Sequence, residues 1–294
     1  MAHDAGHTGR TSAEFGTRPR DDELDLFGIT NTGKVRTENQ DHFLVATVHP
    51  ELVVHETSLP PASSMSIHGT RLATVMLVAD GVGGSTGGRE ASQLAIESIT
   101  RYVSSSLRCY HAAGSSQEDE FIGALREAAL EAHAAVRAES AHRPDLKRMA
   151  TTLTLFIAVW PWAYVVQVGD SRCYHYYGGV LKQMTRDQTI AQDLVDQGVL
   201  APERVSKSPF SNVLASAIGA DAAVPEVSRV KMDGRGIFLL CSDGLTKHVA
   251  DDEIAAELKG LKSSEQSCRR LLDLALERGG SDNVTVLIAR AKRE

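Results

Sequence analysis

The sequence predicts an α+β fold in which antiparallel sheets carry helices on their outer faces. Three observations lead there. Apolar runs rich in Val, Ile, Thr and aromatics come in blocks. Amphipathic stretches come in pairs between the blocks, near 87–107 and 117–140 and again within 251–278. Strand and helix do not alternate as a parallel sheet requires, and no internal repeat is visible.

In chain order, residues 1–22 are polar and lack periodicity, so a disordered leader is expected. They contain no apolar core, so no signal peptide is expected, and His3 and His7 read as solvated. A single domain is expected over 23–294. "LDLFGITN" and "HFLVATV" read as strands, "LPPASSMSIHG" as an exposed insert because of its paired prolines, and "RLATVMLVAD" as a third strand. In the second helix Phe121, Leu125, Ala128, Ala132 and Val136 recur at helical spacing, and the acidic start suits the helix dipole. "TLTLFIAVWPWAYVVQVG" has about the length of a membrane span, but Pro161 divides it, so it reads as two strands joined at "WPW". "SRCYHYYGGVLKQMT" predicts a hairpin turning at Gly178–Gly179. Residues 187–222 are mixed, with short helical pieces. "GIFLLCSDG" reads as a strand, 251–278 as two helices, and "DNVTVLIARA" as the closing strand.

Composition narrows the function. A formal net charge of -7 over 294 residues argues against a nucleic-acid partner. Cys109, Cys173, Cys241 and Cys268 are far apart and form no CxxC pair, which argues against zinc-ribbon or redox motifs and fits a reducing, cytoplasmic setting. Cys241, inside an apolar run, reads as a buried small hydrophobe. His248 near the second Asp-Gly reads as an ordinary surface or core group.

The chemistry lies in carboxylates at strand ends. Asp80, Asp170 and Asp243 end apolar runs, while Asp41 and Asp282 begin them. One such residue is a turn or cap. Five in one domain repel each other unless cations neutralise them. With no HExxH and no Cys/His cluster, only oxygen ligands are on offer, which suits Mg²⁺ or Mn²⁺. The glycines in "ADGVGG" and "SDGL" allow a sharp turn and close approach to a metal, and the Gly81 carbonyl is a candidate ligand. Arg36, five residues before Asp41, is within reach of the same cleft and could grip a phosphate bidentately; its bland alternative is a surface ion pair.

"VRTENQD", "VADGVGG", "MATTL", "VGDSR", "LLCSDGL" and "GGSDNVTVLI" follow one another in the order and rough spacing of the type 2C, metal-dependent protein serine/threonine phosphatases. The chain resembles that family, in its bacterial form, over about residues 24–291. The resemblance implies a four-layer αββα sandwich and a centre of two Mn²⁺ or Mg²⁺ ions. Asp80 would bridge them, the Gly81 carbonyl would bind the second metal, and Asp243 and Asp282 would complete the carboxylate set. It further implies a third-metal position at Asp170 with Asp243. Arg36 corresponds to the substrate-phosphate arginine, and Asp41 to a group orienting a metal-bound water. Asn283 corresponds to a cleft residue beside Asp282, and Thr151 and Thr152 to structural residues below the site. The expected reaction is hydrolysis of phosphoserine and phosphothreonine in proteins without a phosphoenzyme, opposing a serine/threonine kinase. A monomer acting away from membranes is expected. Residues 187–222 resemble the family's variable flap, where "VSKSPFSN" is placed to meet peptide substrates.

Three positions depart from the family pattern. Gln40 stands where an acid is frequent; it can still hydrogen-bond a water on the metal, but with less negative charge, which implies weaker binding of the second metal. Val82 replaces a histidine found in some members and cannot donate a proton, so a metal-bound water would protonate the leaving oxygen. Ala150 replaces a frequent glycine and should be tolerated. Two other functions stay open at this point: a phosphatase-like binding or regulatory module without turnover, and a phosphohydrolase acting on nucleotides or other small molecules.

Overall fold

The protein is described by a computed structural model over residues 17–50, 69–82, 87–113, 118–143, 145–146 and 149–292. The first 16 positions of the expected leader and nearly all of the insert at 59–69 lie outside the described residues. The strands are β1 (Leu24–Asn31), β2 (Asp41–Val48), β3 (Ala73–Asp80), β4 (Leu153–Val159), β5 (Trp162–Val168), β6 (Arg172–Tyr177), β7 (Val180–Gln183), β8 (Glu226–Lys231), β9 (Ile237–Cys241) and β10 (Val284–Ala291). The helices are α1 (Gly87–Ala113), α2 (Glu118–His142), α3 (Ile190–Asp196), α4 (Asp243–Thr246), α5 (Asp251–Lys259) and α6 (Ser264–Glu277).

The strands form two five-stranded sheets, ordered β1-β10-β9-β6-β7 and β2-β3-β4-β5-β8. Every pairing is antiparallel. Met76, Val78, Phe156, Phe238, Leu240 and Leu287 fill the space between the sheets. Helices α1 and α2 cover the outer face of the second sheet, where Ile99, Leu125 and Val136 pack on Leu77 and Leu155. Helices α5 and α6 cover the first, through Ile254, Leu258 and Leu271 against Leu239 and Val286. The result is the expected α+β sandwich of helices, sheet, sheet and helices.

This layering explains why β3 reads as a continuous apolar run. Val75, Leu77 and Ala79 face the helices, while Met76 and Val78 face the other sheet, so both faces are buried. The hairpin turns at Gly178 and Gly179, both with positive φ, as the twist of a two-residue turn requires.

Two features differ from the sequence expectation. Strand β8 was hidden inside "EVSRVK"; it is an edge strand pairing only with β5, and its charged Glu226, Arg229 and Lys231 protect such an edge. The last part of the expected leader is tied down at Pro19, which is buried, while Thr17, Arg20, Asp21 and Asp22 stay exposed. Buried Arg71, just before β3, donates to Asp21 and, at 2.7 Å, to the Pro19 carbonyl.

The antiparallel register decides where the chemistry goes. β3 ends and β2 begins at the same rim, with Asp41 directly opposite Asp80. β9 ends and β10 begins there too, so Asp243 and Asp282 arrive from the other sheet. The β5–β6 turn brings Asp170 to the same edge.

Candidate metal centre

The rim closes around a cleft of about 180 Å³ that takes in Arg36, Asp80, Gly81, Asp170, Asp243 and Asp282, together with Gln40 and Asn283. Asp41 does not line it. It lies behind, almost wholly buried, and its Oδ2 accepts hydrogen bonds of 2.7 Å from both Ser242 and Thr285.

Local backbone contacts hold Asp80 in place. Its N–H donates to Thr152 Oγ1 at 3.0 Å, its carbonyl accepts from Thr151 Oγ1 at 2.9 Å, and Thr152 is itself hydrogen-bonded to Ser171 at 2.7 Å. The two glycines next to the key aspartates are there for space. A Cβ on Gly81 would lie 2.5 Å from the Gly88 carbonyl at the start of α1. A Cβ on Gly244 would lie 1.9 Å from the Asn283 carbonyl oxygen, between α4 and the start of β10. Gly244→Ala is therefore expected to destabilise the fold by about 2 kcal/mol or more, since overpacking against backbone has no side chain to yield; urea denaturation of metal-free protein measures it.

Asn283 has a structural duty. Its Oδ1 accepts from the Gln40 N–H at 2.9 Å and its Nδ2 donates to the Thr32 and Glu38 carbonyls, also at 2.9 Å. All its amide groups go into stapling the 31–40 loop beside the cleft. His248 is likewise a loop clip, receiving the Ser281 N–H at 3.0 Å, as its bland reading anticipated.

Two cations reach the carboxylates. Arg36 binds Asp282 bidentately, Nε to Oδ1 at 2.7 Å and Nη2 to Oδ2 at 2.9 Å. Lys247 bridges Asp243 at 2.6 Å and Asp282 at 2.8 Å. Sequence reasoning missed Lys247, because a lone lysine after "DGLT" looks solvated. The available signal was its position four residues after Asp243, on the same side of a helical turn.

These cations do not neutralise the cluster. Among the described residues no donor reaches the buried Asp41 Oδ1 or Asp243 Oδ1 while Asp80 is ionised. Burial, then the charges of Asp41, Asp243, Asp170 and Asp282, push the Asp80 carboxyl well above its ordinary range. Burial raises Asp41 to about 6 despite its two hydroxyl donors, and burial with Asp243 and Asp187 nearby raises Asp170 to about 7. Asp243 is raised by burial against the pull of Lys247. At Asp282 burial works upward too, but hydrogen bonds from Arg36 and Lys247 outweigh it and hold the carboxyl below its ordinary value. A buried carboxylate set with orphaned oxygens and mutual repulsion fits hard divalent cations.

The pH consequence has a definite sign. The folded values for Asp41 and Asp170 lie above the ordinary 3.8. Their contribution to stability is complete below about pH 4 and is lost as pH rises through about 7. Metal-free protein should thus lose thermal stability between those limits. Divalent cations bind the deprotonated form, so loading at pH 6 should release protons, and the release should fade above about pH 8. Calorimetry in buffers of different ionisation enthalpy measures both effects.

The family model described as protein phosphatase 2C matches residues 63–283. The chain belongs to the protein phosphatase 2C family. Serine/threonine protein phosphatase PstP of Mycobacterium tuberculosis is 33% identical over 217 residues, which is 74% of this chain and 40% of PstP, so the chain spans less than half the length of that relative. Serine/threonine phosphatase stp of Listeria monocytogenes is 31% identical over 215 residues, 73% of this chain and 83% of stp. The crystal structure of M. tuberculosis PstP/Ppp resembles the chain with a TM-score of 0.72 at 28% identity, covering 92% of this chain and 99% of that one. The PstP catalytic domain in complex with two manganese ions gives a TM-score of 0.68 at 27% identity, again over 92% and 99%. Among the described residues no helix is long and apolar enough to cross a membrane.

Proposed function

We propose that this phosphatase 2C family member hydrolyses phosphoserine and phosphothreonine in proteins, with two Mn²⁺ or Mg²⁺ ions held in the cleft by Asp80, the Gly81 carbonyl, Asp243 and Asp282. A third position falls to Asp170 with Asp243. The observation that carries the reading is the pair Asp41 Oδ1 and Asp243 Oδ1, which no donor among the described residues reaches while Asp80 is ionised, within a rim of mutually repelling carboxylates. The PstP catalytic domain holding two manganese ions supports it.

Bound there, the cations would supply Lewis-acid activation of water and neutralise charge on the phosphoryl oxygens. The chain's own groups do the positioning. Asp41 stands behind the cleft with Oδ2 fixed by Ser242 and Thr285, directly opposite Asp80 in the β2–β3 register, and acts as a positioning residue for it. Arg36 already binds a planar, doubly accepting anion in Asp282, and a phosphoryl group presents the same pattern to its guanidinium. The water oxygen bonds to phosphorus and gives up one proton to solvent in the cleft, the bond to the serine or threonine oxygen breaks, and that oxygen takes up a proton. Val82 has no proton to give, so solvent in the cleft supplies it.

Asn212 and Leu214 of the 187–222 flap stand at the cleft wall, with Phe210 exposed nearby, and this segment would receive the peptide. We place the chain opposite a serine/threonine kinase, as a cytoplasmic monomer. The deciding assay compares a phosphopeptide with a nucleotide, each with Mn²⁺ and with chelator. Metal-dependent release from the peptide supports the proposal. Preference for the nucleotide, or no release from either, overturns it.

Arg36→Ala is expected to weaken inhibition by inorganic phosphate by about 2 kcal/mol, roughly thirty-fold, as for one lost charge-assisted contact. Unchanged inhibition with an unchanged KM would remove Arg36 from the phosphate site.

A further inference from the structure

At the end of the sandwich opposite the carboxylate cleft, the two sheets part around a second cavity of about 300 Å³. That is the lower end of the range for small-molecule sites. Its floor is the inter-sheet core, where Phe156 of β4 meets Phe238 of β9 with ring centroids 4.6 Å apart. One wall is a run of stacked rings. His175 lies on Phe238 at 4.5 Å and 13°, and on Tyr177 at 5.9 Å and 16°.

The mouth is basic, in a chain whose formal net charge is -7. Arg18, Arg71, Lys231 and Arg290 reach it, and Asp233 is the one carboxylate among the described residues that line it. Arg71 is paired with Asp21, Arg290 with Asp25, and Asp233 with Arg235. Arg18 has no hydrogen-bond or ion-pair partner among the described residues. Burial and the neighbouring Arg71 work against its charge, and Asp21, which already pairs with Arg71, offsets them only in part. Neither ring nitrogen of His175 hydrogen-bonds a described residue, and burial lowers its pKa, which keeps it neutral.

A half-open, largely apolar cavity with a ring-stacked wall suits a flat aromatic body. An unpaired guanidinium at its mouth suits a planar anion that accepts two parallel hydrogen bonds. A neutral ligand would leave Arg18 with only Asp21, already shared with Arg71, to offset its charge. We propose that this cavity is a binding site for a small aromatic monocarboxylate, with its ring against Phe238, His175 and Tyr177 and its carboxylate on Arg18. The site is separate from the phosphatase cleft and stands or falls independently of it.

The probes are 2-naphthoate and its neutral analogue 2-naphthamide, titrated by calorimetry into the full chain with chelator present, so that no cation in the cleft can capture the carboxylate. One equivalent of naphthoate should bind, about ten-fold tighter than the amide, the scale of one charge-assisted contact. Arg18→Gln should remove that preference without changing the amide's affinity. Ala158→Phe, on the β4 wall, should fill the cavity and abolish both; Ala291→Phe on the facing sheet serves if the first variant does not fold, as judged by near-ultraviolet circular dichroism. No heat with 1 mM probe, equal affinity for acid and amide, or a preference that survives Arg18→Gln would overturn the proposal.

Discussion

Asp80→Asn is expected to abolish manganese-dependent turnover while leaving the metal-free fold at least as stable as the native chain. The functional loss should reach about three orders of magnitude, because several kcal/mol of charge stabilisation depend on the cations it would bridge. The stability result separates this role from a structural one. Burial and four neighbouring aspartates already keep the Asp80 carboxyl well above its ordinary range. In the metal-free state an uncharged amide replaces a group that resists ionisation. Its backbone contacts to Thr151 and Thr152 do not involve the side chain. The variant should therefore gain thermal stability relative to native protein as pH rises and the native cluster is forced to ionise. Turnover within a few-fold of native would remove Asp80 from the metal set. A large loss of metal-free stability would make it a structural residue.

Lys247→Met is expected to tighten Mn²⁺ binding by about ten-fold. The ammonium bridges Asp243 and Asp282 at 2.6 and 2.8 Å, so it is an internal cation on two of the carboxylates that an incoming metal needs. Methionine keeps an unbranched stem and removes the charge. A buried charge-assisted contact is worth about 1.5–3 kcal/mol; this one is partly open to solvent, so the lower end applies. Without the metal the variant should be less stable than native, because Asp243 then faces Asp282 with only Arg36, bound to Asp282, left to offset the pair. Manganese should restore it, and the metal-induced rise in Tm should exceed that of the native chain. Calorimetry and thermal unfolding read these directly. Weaker Mn²⁺ binding in the variant would mean that Lys247 supports the loaded site instead of competing for it.

Much of this was legible from local pattern. Long apolar runs such as "ATVMLVAD" could only be strands covered on both sides, and the Asp-Gly pairs that end two of them marked the rim. The order of blocks was enough for antiparallel sheets with outer helices. What escaped notice depended on tertiary contact. β8 has only two apolar residues, Val227 and Val230, three positions apart, so it lacks the period-two alternation of a strand, and without β5 beside it nothing distinguishes it from a loop. Lys247 resembles any solvated lysine until two carboxylates from different strands converge on it. The anchoring of Pro19 and Asp21 rests on Arg71, about fifty positions away, and no local window joins the two. Asn283 and Asp41 were rightly placed near the cleft. Their different duties, loop staple and buried acceptor, depend on partners that only the fold supplies.

Asp41 and Asp80 come from one sheet, Asp243 and Asp282 from the other, and Asp170 lies in the β5–β6 turn that joins the two, so any ion held among them rivets the sandwich along one rim. Stripped of that rivet, the same rim is a seam under electrostatic pressure, held mainly by Lys247, Arg36 and the Ser242–Asp41–Thr285 bridge. Chelation should then loosen the molecule asymmetrically. Amide exchange should quicken first where β3 meets β2 and where β9 meets β10 near the aspartates, while the far ends of those strands stay shut.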